Sequence, residues 1–392
     1  MRYIKIILTL IVGSLTFFQC DPITKNQVQS LASEATPEEQ DEKLSEALKR
    51  IKLPDGFSIS LFSDNVPNAR SMTMSPSGIL YIGTRQDDKV YALEDTNQDG
   101  IADKKYIIAE GMNTPNGVAF RDGDLYVAEI NKIWKFVNIE ADLNQVKKPV
   151  LISDEFPSDK HHGWKYIAFG PDGKLYIPVG APCNICESRK KIYATITRMN
   201  KDGSGLEIFA HGVRNTVGFT WHPETNEMWF TDNGRDMLGD NIPPCELNHA
   251  PSSSMHFGYP YCHGGDIADP THGSEYSCTD FVAPAQKLGP HVAPLGLKFY
   301  TGDMFPEEYK GDIYIAEHGS WNRSKKIGYR VMRIKMENGK ASGYEPFAFG
   351  WLDKSEQEAF GRPVDVYIAP DGAMLVSDDR AGVIYRITYA AN

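Results

Sequence analysis

Polar and charged side chains recur at matching distances from a turn that repeats along the chain. Six or seven residues before the apolar anchors of these turns lie Asn68, Asn113, His162, Arg214, Asn215 and Arg362. After the strands that follow the turns lie Arg85, Glu129, Asn233, Gly234, Arg235, His318, Arg323 and Arg380. Loop ends are commonly polar, but a guanidinium also pairs with a carboxylate through two parallel hydrogen bonds. Arginines gathered around one concave opening therefore predict an anionic ligand.

The turn belongs to a plan that six segments share. A strand ends near an apolar residue, a turn rich in Pro, Asp and Gly follows, and an alternating strand with an aromatic residue comes next. The segments are Met74–Tyr81, Phe120–Tyr126, Phe169–Tyr176, Trp221–Trp229, Tyr309–Tyr314 and Ile368–Leu375. Their starts lie about 46 to 59 residues apart, except between Trp221 and Tyr309. This spacing suits a four-stranded propeller blade.

The repeat predicts an all-β fold, a six-bladed β-propeller. If each turn joins two adjacent antiparallel strands, the turns lie at one end of the propeller and the polar residues lie at the other. The long gap before Tyr309 predicts an insertion at about 236–298, folded over the channel mouth. Because the Tyr309 segment is the loosest match, five or seven blades stay open as alternatives.

Six stretches resemble soluble quinoprotein sugar dehydrogenases, above all the branch of sorbosone and pyranose dehydrogenases. They are His161–Tyr176, His211–Gly218, Thr231–Asp236, Glu246–Asn248, Glu317–Arg323 and Phe360–Asp365. The resemblance covers about residues 52 to 388 and follows the order of the blades. It implies a six-bladed propeller that holds pyrroloquinoline quinone (PQQ) and calcium at the channel mouth. PQQ is a tricarboxylate, which agrees with the anionic ligand expected from the arginines.

The resemblance also implies a reaction and roles for particular residues. An aldose, pyranose or related aldehyde sugar is oxidised at C1 to a lactone or acid, and an external acceptor such as a cytochrome or a quinone takes the electrons. His162 resembles the general base, with the adjacent His161 as the alternative. Arg214 resembles a catalytic residue that stabilises negative charge on the cofactor. The residues similar to cofactor ligands are Arg214, Asn215, Arg323, Arg362 and Arg85.

Two calcium sites are expected. By resemblance, the backbone carbonyls of Gly234 and Arg235 bind the catalytic ion, because calcium prefers oxygen ligands. This sequence has Cys245 where related sequences have Asp before Glu246, so Asp240 is an alternative carboxylate. A second, weaker candidate has the oxygen spacing of half an EF-hand loop, although a hairpin turn explains it as well. Its residues are Asp95, Asn97, Asp99 and Asp103.

The N-terminal region resembles an export signal. Within residues 1–20, Arg2 and Lys5 precede a short apolar run, and Cys20 follows it in the position of a lipidated cysteine. Cleavage without lipidation is the alternative. Residues 21–50 are polar and predict a tether, with a short helix possible around Leu44 to Ile51, and residues 51–392 form the propeller. We expect an exported protein, periplasmic or in the outer membrane, that meets the membrane only through a lipid anchor.

Five cysteines remain beyond Cys20, and export implies an oxidising compartment. We predict a disulfide between Cys262 and Cys278 inside the insertion, since such a bond fixes an irregular segment. Cys183 and Cys186 form the remaining pair, and Cys245 stays free. No histidine follows Cys186, so the pair does not match a c-type haem attachment motif.

The composition bounds the function. The formal net charge is −11 with no basic block, which argues against a nucleic-acid partner. The main alternative to the enzyme is a propeller that only binds glycans or proteins. A metal-dependent lactonase would need several inward carboxylates, and Glu129 and Asp232 are a thin set for it.

Overall fold

The computed structural model describes residues 37–390, with side chains from residue 44 onward. The chain divides into two units, Met1–Glu46 and Ala47–Asn392. The expected signal at 1–20, Cys20 and the tether up to residue 36 lie outside the described residues. Helix α1 spans Pro37–Arg50 and so begins earlier than the helix expected near Leu44. Proline and acidic residues suit a first helical turn, which explains this early start.

The regular secondary structure of the rest of the described chain is almost wholly strand. In chain order these are β1 (Phe57–Ser63), β2 (Ala69–Met74), β3 (Leu80–Thr84), β4 (Val90–Glu94), β5 (Lys104–Ala109), β6 (Gly117–Arg121), β7 (Asp124–Ala128), β8 (Ile133–Phe136), β9 (Val150–Ser153), β10 (Ala168–Phe169), β11 (Leu175–Val179), β12 (Thr195–Met199), β13 (Glu207–His211), β14 (Phe219–Trp221), β15 (Met228–Asp232), β16 (Pro244–Ala250), β17 (Met255–His256), β18 (Cys262–His263), β19 (Ile267–Ala268), β20 (Gln286–Pro290), β21 (Pro294–Phe299), β22 (Ile313–Glu317), β23 (Arg330–Glu337), β24 (Lys340–Phe349), β25 (Leu352–Asp353), β26 (Glu358–Ala359), β27 (Pro363–Ile368), β28 (Met374–Asp378) and β29 (Val383–Tyr389). Short 3₁₀ helices cover Ile139–Ala141, Gly273–Glu275, Cys278–Asp280 and Glu307–Tyr309. Within residues 37–390, no helix has the length and apolar character that crossing a membrane requires.

These strands form a six-bladed β-propeller, which confirms the predicted fold class. Blades one to five are the sheets β2-β3-β4-β5, β6-β7-β8-β9, β10-β11-β12-β13-β17, β14-β15-β16-β20 and β21-β22-β23-β24. The sixth blade has the order β27-β28-β29-β1, so the first strand of the propeller completes its last blade. Phe57 of β1 lies opposite Tyr389 of β29, and this antiparallel pairing closes the circle.

Packing between blades explains why these segments form strands. Five residues in a row are buried in each of β3, β11, β15, β22 and β28. Such runs are typical of strands covered on both faces. The innermost strands also approach one another closely at glycines. A Cβ atom on Gly117 would lie 2.5 Å from the carbonyl oxygen of Lys165, and one on Gly218 would lie 2.2 Å from that of Leu295.

The repeated turns join the first and second strands of the blades, as predicted. The loops that enter the first strands and leave the second strands therefore meet at the opposite end of the propeller. We call this end the mouth. The loosest repeat, near Tyr309, has a 3₁₀ helix, Glu307–Tyr309, between β21 and β22 in place of a tight turn.

The extra segment is shorter than the expected 236–298. Strands β16 and β20 complete the fourth blade and β21 begins the fifth, so within the expected stretch residues 251–285 lie outside the common blade plan. Within it, β17 pairs with β13 of the third blade, and β18 with β19. We call residues 251–285 the insertion.

Both predicted disulfides are present in the described chain. Cys262 is bonded to Cys278 inside the insertion, and Cys183 is bonded to Cys186 at the mouth. Cys245 is free and buried in β16. The predicted pairing is thereby confirmed.

Close approach of the fifth and sixth blades gives a first testable prediction. A Cβ atom on Gly296 would lie 2.0 Å from Oδ1 and 2.6 Å from Cα of Asp365. Gly296→Ala should lower the free energy of unfolding by about 1–3 kcal/mol, the usual cost of overpacking a close contact. The measurement is the midpoint of urea unfolding.

The matched control is Gly343→Ala in β24. The atoms nearest to its Cβ would be 3.3 Å away on the flexible side chain of Lys335. This variant should stay within about 0.5 kcal/mol of the parent, as surface substitutions do. Equal unfolding midpoints for the two variants would contradict the packing argument.

Candidate functional site

Three arginines from the first and sixth blades gather at the mouth. Burial and the positive charges of Arg85 and Arg362 lower the pKa of Arg70, and Asp379 opposes them, which leaves the pKa at about 10. The guanidinium of Arg85 lies 4.3 Å from the centre of the Trp164 ring. Arg362 donates from Nε to the carbonyl of His318 and from Nη2 to that of Gly319, each at 2.9 Å. These three arginines form the group that we call the arginine cluster.

One carboxylate, Asp379, organises the arginine cluster. It accepts from Nη1 of Arg70 at 3.0 Å and from Nε2 of His318 at 2.7 Å. Burial opposes its ionisation, but His318, Arg70 and Arg362 outweigh burial and hold the pKa of Asp379 well below its usual range. Burial lowers the pKa of His318 to about 4, so this histidine is neutral near pH 7. The arginine cluster therefore keeps an excess of positive charge and suits an anionic ligand.

His162 lies in the loop that enters the third blade. Its φ of 50° is left-handed, and a Cβ atom on Gly180 would lie 2.6 Å from its own Cβ, so glycine leaves room for it. Nδ1 of His162 lies 2.9 Å from the carbonyl oxygen of Ala181. A carbonyl only accepts, so Nδ1 carries the proton and Nε2 has a free lone pair. Burial, with Arg214 and His161, lowers the pKa of His162 to about 2.

The ring of His162 is held from two further sides. The ring of His161 lies 4.0 Å from it, and the ring of Trp164 stands edge-on at 6.5 Å. Lys165 follows in the same loop. It is fully buried and donates from Nζ to the carbonyl of Gly163 at 3.2 Å. Burial lowers the pKa of Lys165 to about 7.

Arg214 and Asn215 come together from the fourth blade. The backbone N–H groups of Arg214 and Asn215 donate to the two carboxylate oxygens of Asp232, at 2.7 and 2.6 Å. The guanidinium of Arg214 is 4% exposed and donates to Asn184, to the carbonyl of Asn233 at 3.0 Å and to Asp236. The side-chain amide of Asn215 has no hydrogen-bond partner within the part of the chain that the structure describes, which leaves it available to a ligand.

The predicted calcium carbonyls lie directly after β15. No described residue donates a hydrogen bond to the carbonyl oxygen of Gly234 or Arg235, which is compatible with ligation of a cation. Within residues 37–390, no cluster of three or more His, Cys, Asp or Glu side chains has the geometry of a metal site. Carbonyl ligation needs no such cluster.

Two buried carboxyl groups lie beside this position. Asp232 and Glu246 are directly opposite each other on β15 and β16. Burial raises the pKa of Asp232 to about 6 and that of Glu246 to about 7, and the charge of Asp232 adds to the effect on Glu246. Oε1 of Glu246 accepts from the N–H of Gly264, which ties the insertion to the fourth blade.

The side chain of Arg235 joins the insertion to the mouth. Its Nη1 pairs with Oδ2 of Asp269, which also lies 2.9 Å from Nε2 of His263. Burial would raise the pKa of Asp269, but His263, Arg235 and two backbone N–H groups hold it at about 2. Sequence reasoning found Arg235 for its carbonyl but missed this ion pair.

Arg323 and the Asp95 loop lie apart from the arginine cluster. Arg323 donates to the carbonyls of Asp240 and Lys325, on the side of the mouth near Asp240. The loop with Asp95, Asn97, Asp99 and Asp103 follows β4 and so lies at the end opposite the mouth. Its carboxylates accept hydrogen bonds from the loop itself, including the N–H groups of Gly100 and Ile101. The loop is thus held together by hydrogen bonds among its own residues.

Aromatic residues of the insertion and of the loop after β22 differ in their exposure. Tyr259 is 4% exposed, and its hydroxyl accepts from the N–H of Cys186 at 3.0 Å. Tyr261 lies against Tyr276, with ring centres 4.0 Å apart. Trp321, from the loop after β22, is 69% exposed. Trp321 stays available to a ligand, whereas Tyr259 and Tyr261 are part of the packing.

Comparison with known proteins agrees with this architecture. A Trichoderma reesei structure described as Carbohydrate-Active Enzymes Family AA12 superposes with a TM-score of 0.76 at 19% identity, over 87% of this chain and 98% of that one. The PQQ-dependent pyranose dehydrogenase of Coprinopsis cinerea is 32% identical over 46% of this chain, a match that spans only 31% of the fungal enzyme. The expected resemblance to soluble PQQ-dependent sugar dehydrogenases is confirmed. At this identity the structural likeness establishes the shared fold.

The family follows from matches that cover nearly the whole propeller. The family described as "Domain of unknown function (DUF7133)" matches residues 43–387, and the chain belongs to it. A Borreliella burgdorferi relative, named "Uncharacterized protein", is 34% identical over 88% of this chain and 92% of its own length.

Asp379 at the centre of the arginine cluster gives a second prediction. Asp379→Asn removes the charge that offsets Arg70. It should lower the free energy of unfolding by about 3 kcal/mol at pH 7, as breaking a buried ion pair does. The folded pKa of Asp379 lies below its unfolded value, so its contribution is present above the unfolded pKa and is lost as pH falls. The difference in the free energy of unfolding between the variant and the parent should therefore become smaller below about pH 4. Urea unfolding across pH measures it.

The control for this prediction is Asp303→Asn. Asp303 is 97% exposed in its pair with Lys310, so this variant should change stability by less than about 1 kcal/mol at any pH. A pH-independent loss in Asp379→Asn would show that the charge of Asp379 is not what stabilises the cluster.

Proposed function

We propose that the protein is a PQQ- and calcium-dependent sugar dehydrogenase. Its reaction is the oxidation of an aldose, a pyranose or a related aldehyde sugar at C1 to a lactone or an acid. The observation that carries the proposal is the neutral imidazole of His162, with a free Nε2, close to the charge of Arg214 at a mouth with excess positive charge. The name of the partly similar Coprinopsis enzyme supports the same class.

The residues at the mouth fit such a cofactor. Arg85 and Arg362 are placed to pair with carboxylates, and Arg70 stands behind them against Asp379. The free amide of Asn215 can bond a quinone or carboxylate oxygen. The carbonyls of Gly234 and Arg235 would ligate calcium, which prefers oxygen ligands. When bound, PQQ supplies a two-electron acceptor for the hydrogen of C1 and its electron pair.

His162 and Arg214 would divide the work of proton transfer and charge stabilisation. Nε2 of His162 accepts the proton of the C1 hydroxyl, and the bond from Nδ1 to the carbonyl of Ala181 keeps the ring aligned. The low pKa of His162 keeps it unprotonated across the physiological range. Arg214 is held rigidly, so its positive charge costs little reorganisation where negative charge develops. Arg323 lies farther toward Asp240 and could contact the outer part of the site.

The proposal extends to partners and location. Electrons would pass to an external acceptor, such as a cytochrome or a quinone, which restores the cofactor. We place the protein outside the cytoplasm as a periplasmic or outer-membrane lipoprotein, on the strength of the basic start and apolar run before Cys20.

Lipidation is tested by mass spectrometry of the protein extracted from membranes. The mature chain should begin at Cys20 and carry acyl groups on that residue. Cys20→Ser should release the protein into the soluble fraction. A mature wild-type chain that starts at another residue and bears no acyl group would refute the anchor.

The catalytic proposal is tested with protein reconstituted with PQQ and calcium. PQQ binding is followed by the change in its absorption, and aldoses are screened with an artificial dye as acceptor. His162→Ala should leave folding and PQQ affinity nearly intact but lower kcat by about 10²- to 10⁴-fold, the range for a positioned general base. His161→Ala is the matched control and should lower kcat far less.

Two outcomes would overturn the proposal. If His162→Ala turns over a good aldose at nearly the parental rate, His162 is not the general base. Absence of PQQ binding by the parent protein, together with retained glycan or protein binding, would favour the non-catalytic propeller.

A further inference from the structure

The disulfide between Cys183 and Cys186 closes a small loop at the mouth. Its two cysteines are three positions apart, and only Asn184 and Ile185 lie between them. The loop follows β11 in a stretch without regular strands or helices up to β12. We call residues 183–186 the disulfide loop.

Asn184 of the disulfide loop makes the main contacts of the Arg214 guanidinium. Its carbonyl accepts from Nε of Arg214 and its Oδ1 accepts from Nη2, each at 2.9 Å. The same Oδ1 accepts from the N–H of Asp236 at 2.8 Å, and Nδ2 donates to the carbonyl of Asp236 at 3.1 Å. One asparagine thus ties Arg214 to the segment that carries Gly234 and Arg235.

The disulfide loop is braced from its other side by the insertion. The hydroxyl of Tyr259 accepts from the N–H of Cys186 at 3.0 Å and lies 3.5 Å from Sγ of Cys183. The remaining bonds of the Arg214 guanidinium go to the carbonyl of Asn233 and to Asp236. Without the side chain of Asn184, Nη2 of Arg214 would keep only its longer bond to Asp236, at 3.3 Å.

The disulfide is better suited to local order than to global stability. In the chain-entropy view a disulfide stabilises a fold more when it closes a longer loop. This bond spans three positions, whereas Cys262–Cys278 spans sixteen. Its effect should therefore fall mainly on the residues it encloses and on what they hold.

We infer that the disulfide loop is a positioning element that orients Arg214, with Asn184 as the positioning residue. The inference rests on the proposed function for its catalytic meaning, since Arg214 is the residue expected to stabilise charge there. The geometry itself concerns only Asn184, Arg214 and the bond between Cys183 and Cys186.

The first test does not depend on PQQ. In the cofactor-free protein, the rate at which phenylglyoxal modifies Arg214 is measured by peptide mass spectrometry. Asn184→Ala removes the side-chain partner of a charged donor and should raise that rate roughly tenfold, in line with the strength of a charge-assisted bond. The double variant Cys183→Ser with Cys186→Ser should raise it as well.

Ile185→Ala is the matched control, because Ile185 belongs to the same loop but has no hydrogen bond to Arg214. It should leave the labelling rate unchanged. If the double variant does not fold, Asn184→Ala decides the question. Unchanged labelling in Asn184→Ala would overturn the inference.

The second test uses protein loaded with PQQ and calcium. Asn184→Ala should keep its melting temperature close to that of the parent while PQQ affinity and kcat both fall, and Asn184→Asp, which keeps the acceptor oxygen for Arg214, should recover part of the loss. If the parent binds no PQQ, the proposed function fails and the labelling rate still decides the positioning role. If labelling rises but PQQ affinity and kcat do not change, Asn184 orients Arg214 without consequence for the reaction, and the catalytic part of the inference is wrong.

Discussion

Pairing of β1 with β29 is the constraint on which the mouth depends. It joins the two ends of the propeller across more than three hundred residues, from Phe57 to Tyr389. Loop-closure entropy rises only slowly with length, so one well-matched strand pair can offset it. Without closure, β29 would be an unpaired edge, and the sixth blade would lose its fixed angle to the first. The ion pair of Arg70 with Asp379 spans that boundary, so closure also sets the electrostatics of the mouth.

Buried carboxylates organise the cations at the mouth while backbone groups do the positioning. The chain is acidic overall, with a formal net charge of −11, yet three arginines face one carboxylate in the arginine cluster. Burying such charges is costly unless each is paired or hydrogen-bonded. Asp379 is the ion-pair partner of Arg70. Asp232 accepts hydrogen bonds from the backbone N–H groups of Arg214 and Asn215 and so fixes the backbone of these two residues.

The sequence was informative where a structural need leaves a local signature. The turn between the first two strands of a blade has to be tight, so Pro-Asp-Gly combinations predicted the blades, and the weakest repeat is the one whose turn holds a 3₁₀ helix. Outer strands carry no such mark, which is why the insertion was expected to include β16 and β20. Histidine and arginine at blade ends were found for the same positional reason. Contacts that depend on distant segments, such as Arg235 with Asp269 or Asn184 with Arg214, left no local signal.

A positive charge at the mouth also lowers the basicity of His162. Burial is the main reason for its low pKa, and the positive charge of Arg214 lowers it further. A ligand with negative charge beside Arg214 would offset that positive field, and by Coulomb's law the imidazole would then hold a proton more firmly. An empty mouth would thus contain a weak base and an occupied mouth a stronger one. Under the proposed function, proton abstraction at C1 would be tied to the presence of the acceptor, because the charge of Arg214 acts on both.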